Sequence, residues 1–240
     1  MLITSLNNEH IKELIKLKDK KYRDERGLFL VDTKHLVMEA YKAGLLKELI
    51  LHKDEIYPLD VDITYVTNDI LKKISQTSTP SRVMGLVEKK SEDNIIGERI
   101  LILDNIQDPG NLGTIIRSAV AFNIDTVVLS DDTVDLYNPK VIRSSEGMIF
   151  HINIIRGNII EFLSSLDKSY LKITTDVKAG EDVNLLDTSK CALVIGNEGS
   201  GVKKEVESLC DKKVNIKMNN NCESLNAGVS ASILMYEVFK

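Results

Sequence analysis

Four apolar runs constrain this chain most: residues 99–104 (RILILD), 125–130 (DTVVLS), 191–196 (CALVIG) and 213–218 (KVNIKM). Each suits a strand buried on both faces, as in a parallel sheet covered by helices. Helices are expected between and after them at about 109–122, 158–166, 202–209 and 224–239, so the fold class is α/β. A shorter alternation precedes it. Strands are expected at 28–31, 48–51, 62–66 and 83–87. An amphipathic helix carries Ile11, Leu14, Ile15 and Leu17. A second runs over 33–44, with Thr33 as N-cap and Gly44 as stop, and a third lies near 68–75. Charge and Gly at 89–98 (KKSEDNIIGE) interrupt the pattern and divide the chain into domains at 1–92 and 98–240. Gly-bearing turns follow two strands of the second domain, where open α/β sheets usually bind ligands.

The 240 residues are 43% hydrophobic and 28% charged, which excludes disordered and fibrous classes. Lys and Glu interrupt every apolar stretch of the N-terminus, so no export signal or membrane span is placed there and a cytoplasmic location is expected. Cys191, Cys210 and Cys222 form no C-x-x-C pair and read as reduced structural residues. A net charge of −5 argues against a general polyanion binder. Residues 1–26 nevertheless hold seven Lys/Arg against five acids, a local positive bias that a solvated helix face also explains.

Three motifs in the second domain carry chemistry. The first is DPGNLGTIIR at 108–117. Asp108 and Pro109 make a strong helix start, yet Gly110 and Gly113 each cost the first turn about 1 kcal/mol relative to Ala. Leu112, Ile115, Ile116, Ala119 and Val120 form the buried stripe, Arg117 falls off it, and Asn111 sits where free N–H groups favour anions. From spacing alone, a Gly-containing turn with a solvated Arg explains this as well as a ligand site does. The second motif, IGNEGSG at 195–201, matches neither G-x-G-x-x-G nor the P-loop, since Val202 stands where a Lys is needed. Its glycines allow close backbone approach, with Glu198 the ionisable group at the tip; a hairpin-like turn with an exposed Glu is the plainer reading. The third, CESLNAGVSASIL at 222–234, opens a helix apolar or small on two faces and therefore buried, its small residues leaving room for another helix of this chain or of a second subunit, with Ser224 and Asn226 at its start.

In this order and spacing, the three motifs resemble those of the SpoU (TrmH-like) RNA 2′-O-ribose methyltransferases of the SPOUT superfamily, over roughly residues 99–240. Segments 15–32 and 75–87 resemble the ribosomal-protein-like substrate-binding domain that often precedes them. The chain departs from that pattern with Asp32-Thr33 for Glu-Gly, Ser81-Arg82 for Gln-Gly, and Lys217 for the Pro before Met218.

The resemblance implies a C-terminal trefoil knot that binds S-adenosyl-L-methionine around Gly196, Ile216, Met218 and Leu225. It also implies a homodimer through the knot, and methyl transfer to a ribose 2′-hydroxyl in structured RNA. Arg117 is placed at the hydroxyl, with Asn111, Glu198, Ser224 and Asn226 as the polar set around it. Glu198 would orient Arg117 or hold the ribose. The transfer needs no metal. The two-domain layout leans toward 23S ribosomal RNA, with transfer RNA as the alternative. A non-catalytic RNA-binding protein of the same fold has no reason to keep all five polar residues. A nucleotide-binding α/β enzyme would lack its P-loop Lys.

Overall fold

The computed structural model describes residues 1–77, 79–92, 95–176, 180–181, 186, 188–219 and 221–239. They form two compact units, Met1–Ser91 with Tyr137–Phe150, and Glu92–Leu136 with His151–Lys240.

The first unit is a five-stranded mixed sheet in the order β1 (Leu2–Ile3), β4 (Asp62–Val66), β3 (Leu46–His52), β5 (Val83–Glu88), β2 (Leu28–Asp32). Helices α1 (Glu9–Lys16) and α4 (Asn68–Ile74) bury Ile11, Leu14, Ile70, Leu71 and Ile74 in a core that includes Ile50 and Met84. Asn8 starts α1 by accepting the N–H groups of His10 and Ile11. Helix α3 (Lys34–Lys42) has the expected Thr33 cap, whose hydroxyl accepts the N–H of Leu36 at 3.3 Å. Helix α2 (Lys20–Arg26) escapes the periodicity reading because KKYRDER has no apolar stripe. Its ends define it instead: Asp19 accepts the N–H of Lys21, and Gly27 closes it at φ 64°. The segment after Leu136 joins this unit with helix α6 (Pro139–Ser144), as Tyr137 and Phe150 meet the ring of Phe29 at 4.8 and 6.2 Å.

The second unit is a fully parallel six-stranded sheet in the order β11 (Lys212–Val214), β9 (Leu171–Thr175), β10 (Cys191–Ile195), β6 (Arg99–Leu103), β7 (Thr126–Ser130), β8 (Asn153–Gly157). The central strands β10 and β7 are buried at every position, as their unbroken apolar runs require. Strands β8 and β9 lie outside the expected set. They sit toward the sheet's margins, where half-burial dilutes the apolar signal. The strand expected at 213–218 ends at Val214, and the helix expected at 202–209 shrinks to α8 (Lys204–Glu207). Helix α7 (Ile159–Ser165) covers β6, β7 and β10 through Ile159 and Leu163. Helix α5 (Pro109–Ala121) packs against α9 (Ala227–Phe239), with Ser118 Oγ 2.7 Å from Ser232 Oγ.

Ile195 pairs with Leu103, so β6 and β10 end side by side and their following loops leave the sheet together. Chain order reverses here, with β7 on one side of β6 and β10 on the other, the position where open parallel sheets place ligands. None of the cysteines forms a disulfide; Cys191 is buried and the half-buried Cys210 thiol is pushed up to about 11 by burial. Cys222 is exposed, against the expectation of a structural role.

Candidate active site

The loop after β10 is closed by its own backbone. The N–H groups of Asn197 and Gly201 each bond the other's carbonyl at 3.0 Å. Asn197 Oδ1 accepts the N–H groups of Gly199 and Ser200 at 2.9 and 3.1 Å, and its Nδ2 donates to Asn105 O at 2.8 Å. A Cβ on Gly196 would lie 2.2 Å from the backbone of Gly201 and Val202, so only glycine permits this closure. Asn197 was not singled out from the sequence, although Asn within a Gly-rich turn signals such side-chain to backbone bonding.

Glu198 is not a free tip residue. Its Oε2 accepts the Gln107 N–H at 3.2 Å, and its Oε1 accepts the Asp108 N–H and Asn111 Nδ2, both at 3.1 Å. The carboxylate therefore sits at the N-terminal entry of α5, where unpaired N–H groups favour negative charge. Partial burial pushes its pKa up. The Asn111 amide and the backbone N–H groups of Glu198, Asp108 and Gln107 outweigh that and hold the carboxyl below its ordinary value. Asp108 caps the same helix as expected, accepting the Asn111 N–H at 2.9 Å.

From Glu198 a relay of amides crosses to the third motif. Asn226 Nδ2 donates to Asn111 Oδ1 at 2.9 Å, while Asn226 Oδ1 accepts the N–H groups of Gly228 and Val229 at 2.9 and 3.2 Å. Asn226 thus caps α9, which begins at Ala227 and not at the expected 224. Ser224 is no cap; it lies in the preceding loop and lines a cavity. Gly228 lets α9 approach α5, since a Cβ there would stand 3.2 Å from Thr114 Cγ2.

That cavity, ≈ 450 Å³, lies beside the C-terminal ends of β9 and β10. Gly196, Ile216, Met218 and Leu225 line it, together with Glu198 and Ser224. Asn215, Thr175 and Ser230 also line it and were not foreseen. Ending β11 at Val214 is what frees Asn215, Ile216 and Met218 for the wall.

Arg117 stands apart from this group. It is exposed on α5, about 9 Å further along the axis than Asn111. It makes no hydrogen bond or ion pair among the described residues, so within one chain Glu198 does not orient it. Helix α9 also departs from expectation. Gly228, Ala231, Leu234, Met235 and Val238 are buried, but Val229, Ile233 and Tyr236 are exposed by 47%, 37% and 55%. Tyr236 meets the Phe122 ring edge-on at 5.8 Å, extending the apolar strip to the end of α5.

The SpoU rRNA Methylase family profile matches residues 98–236, more than half of the chain and all three motifs. The chain belongs to that family. In this SpoU chain, residues 8–85 further match the MRM3-like substrate binding domain. It is 33% identical to the Bacillus subtilis 23S rRNA (guanosine(2553)-2′-O)-methyltransferase RlmP, with 98% of each chain covered. Solved structures share its fold, among them the following two. An AdoMet-bound rRNA methyltransferase from Sinorhizobium meliloti aligns with a TM-score of 0.87 at 28% identity, covering 99% of this chain and 97% of that one. The SpoU methyltransferase AviRb from Streptomyces viridochromogenes, in complex with AdoMet, aligns at 0.85 with 25% identity and 97% of each chain covered.

Proposed function

We propose that this chain is an S-adenosyl-L-methionine-dependent methyltransferase acting in the cytoplasm on a ribose 2′-hydroxyl of 23S ribosomal RNA. The observation that carries the reading is the cavity at the ends of β9 and β10, walled by the second and third motifs and edged by the Glu198–Asn111–Asn226 relay. Its residues fit the cofactor. The ≈ 450 Å³ volume is in the range of small-molecule sites, about 300–1,000 Å³. Ile216, Met218, Leu225 and Leu234 offer apolar cover, and the Gly-rich turn offers backbone groups in place of charges. When bound, the cofactor supplies an electrophilic methyl group.

The chain's residues would then position and stabilise. Glu198, held at the entry of α5, fixes the loop after β10 and orients Asn111, which in turn orients Asn226. Ser224 offers a hydroxyl at the cavity wall. The 2′-oxygen gains negative character as its proton leaves, and a guanidinium beside it stabilises that charge. A guanidinium is a poor proton acceptor and a strong anion partner, so Arg117 serves better as a phosphate and alkoxide anchor than as a base.

Arg117 does not line its own chain's cavity. The strip of Val229, Ile233 and Tyr236 is open for a second copy. Both features support a homodimer in which Arg117 reaches the partner's cavity. Pairing of β10 with β6, far from it in sequence, and the wall formed by Asn215, Ile216, Met218, Ser224 and Leu225 support a C-terminal trefoil knot through which the chain is threaded. Residues 1–92 are read as the RNA-binding domain and 98–240 as the catalytic one, in line with the two family matches. Ribosomal RNA is favoured because the match to the 23S enzyme spans both regions.

The test is transfer of labelled methyl from S-adenosyl-L-methionine to separately purified ribosomal and transfer RNA. Label confined to ribosomal RNA is expected. Label on transfer RNA alone would move the substrate, label on neither RNA with cofactor still bound would point to an assembly intermediate as substrate, and no cofactor binding at all would leave an RNA-binding role.

A further inference from the structure

We infer that Lys203 is a positioning residue for the wall of the cofactor cavity, a pin that fixes residues 196–202 through Asp104 and Asp132. The inference rests on reading that cavity as the cofactor site. The wall includes every residue from Ile195 to Val202, skips Lys203 and resumes at Lys204. Lys203 is thus the point where the chain is held from outside the cavity.

Asp104 does the holding. It follows the last residue of β6 and is 1% exposed. Its Oδ2 accepts the backbone N–H of Lys203 at 2.9 Å, and its Oδ1 lies 3.3 Å from Lys203 Nζ. A buried carboxylate needs partners to offset its desolvation, and this single carboxylate holds both the backbone and the side chain of Lys203. The ammonium also reaches Asp132 Oδ2 at 2.7 Å. Asp132 is itself fixed: Ser130 Oγ donates to its Oδ1 at 2.5 Å. The Arg156 guanidinium donates to the carbonyls of Ser130, Asp131, Thr133 and Val134 at 2.7–3.1 Å.

The result is a closed ring with a clasp at each end. One clasp is Glu198 on the N–H groups of Gln107 and Asp108, and the other is Asp104 on Lys203. Between them Asn197 Nδ2 bonds Asn105 O. Loosening the second clasp frees the loop to leave the cavity-lining shape while both strands remain paired.

Full-length Lys203→Met, Lys203→Arg and a charge-removal control, Lys12→Met, are compared by calorimetric titration with S-adenosyl-L-methionine and by amide exchange of the ligand-free protein. K203M is expected to bind about fivefold more weakly, in the range by which network residues modulate a site. Its Gly199, Ser200 and Gly201 amides should exchange faster while β6 and β10 stay protected. K203R should bind within about twofold of wild type, and K12M should match it. Unchanged affinity in K203M, or faster exchange spread equally over the sheet, overturns the proposal. If K203M does not fold, Asp132→Asn replaces it, with the same local loss of protection and weaker binding expected and wild-type behaviour overturning it. A wild-type protein that binds no cofactor would sink the functional reading, while the exchange data would still judge the pin.

Discussion

Glu198→Gln is the substitution whose consequences follow most directly from the geometry. The carboxylate accepts three hydrogen bonds at 3.1–3.2 Å, two from backbone N–H groups at the entry of α5 and one from Asn111. A buried charge-assisted hydrogen bond contributes about 1.5–3 kcal/mol, but solvent reaches this site, which brings each nearer to about 0.5 kcal/mol. Glutamine keeps one acceptor and turns an –NH₂ toward the remaining donors, so one or two of the three bonds go and E198Q should lose about 0.5–1 kcal/mol at pH 7. The pH dependence has a definite sign. The folded carboxyl titrates below its reference value of 4.5, so its contribution is complete above that value and is lost as pH falls through the folded pKa. Urea unfolding of both proteins at pH 7, 5.5 and 4 should give equal differences at the first two and a smaller one at the third. A difference that ignores pH, or that is absent at pH 7, would refute the clasp.

Arg117→Ala should reduce methyl transfer at least about a hundredfold, the scale of a lost charge-stabilising donor, with cofactor affinity within about twofold of wild type; near-normal turnover would remove Arg117 from the chemistry. Gly196→Ala places a methyl 2.2 Å from backbone, and calorimetry should show cofactor affinity weakened by about tenfold or more. Ile233→Asp puts a charge in the exposed strip of α9, and light scattering should then report the 26.9 kDa monomer where the wild type reports a dimer. A wild-type monomer would refute the proposed assembly.

Much of this was legible because the signals were local. Unbroken apolar runs marked β6, β7 and β10, and the Asp108-Pro109 start and apolar stripe marked α5. What was missed depends on contacts between distant segments. Among the described residues strand β8 pairs with β7 alone, and its half-buried residues give no run to read. Glu198 was recognised as the charged residue of its loop, but its partners lie about ninety residues earlier, so spacing could not reveal a helix-entry clasp. The same holds for Asp104 and Lys203, which are ordinary in sequence and meet because Ile195 pairs with Leu103. The two apolar sides of α9 were legible, but what covers each was not: α5 packs on one within the chain and Val229, Ile233 and Tyr236 stay exposed, because apolar periodicity reports a face and does not say what packs on it.

The account turns on where the methyl group goes. Ribosomal RNA methylated with labelled S-adenosyl-L-methionine and then hydrolysed with alkali distinguishes the possibilities, because a 2′-O-methylated ribose blocks cleavage at its own phosphodiester. Label recovered in a single alkali-resistant dinucleotide from 23S RNA, and none with Arg117→Ala, is the predicted result. Label recovered in mononucleotides would mean a base is methylated and would contradict the assignment of the 2′-hydroxyl.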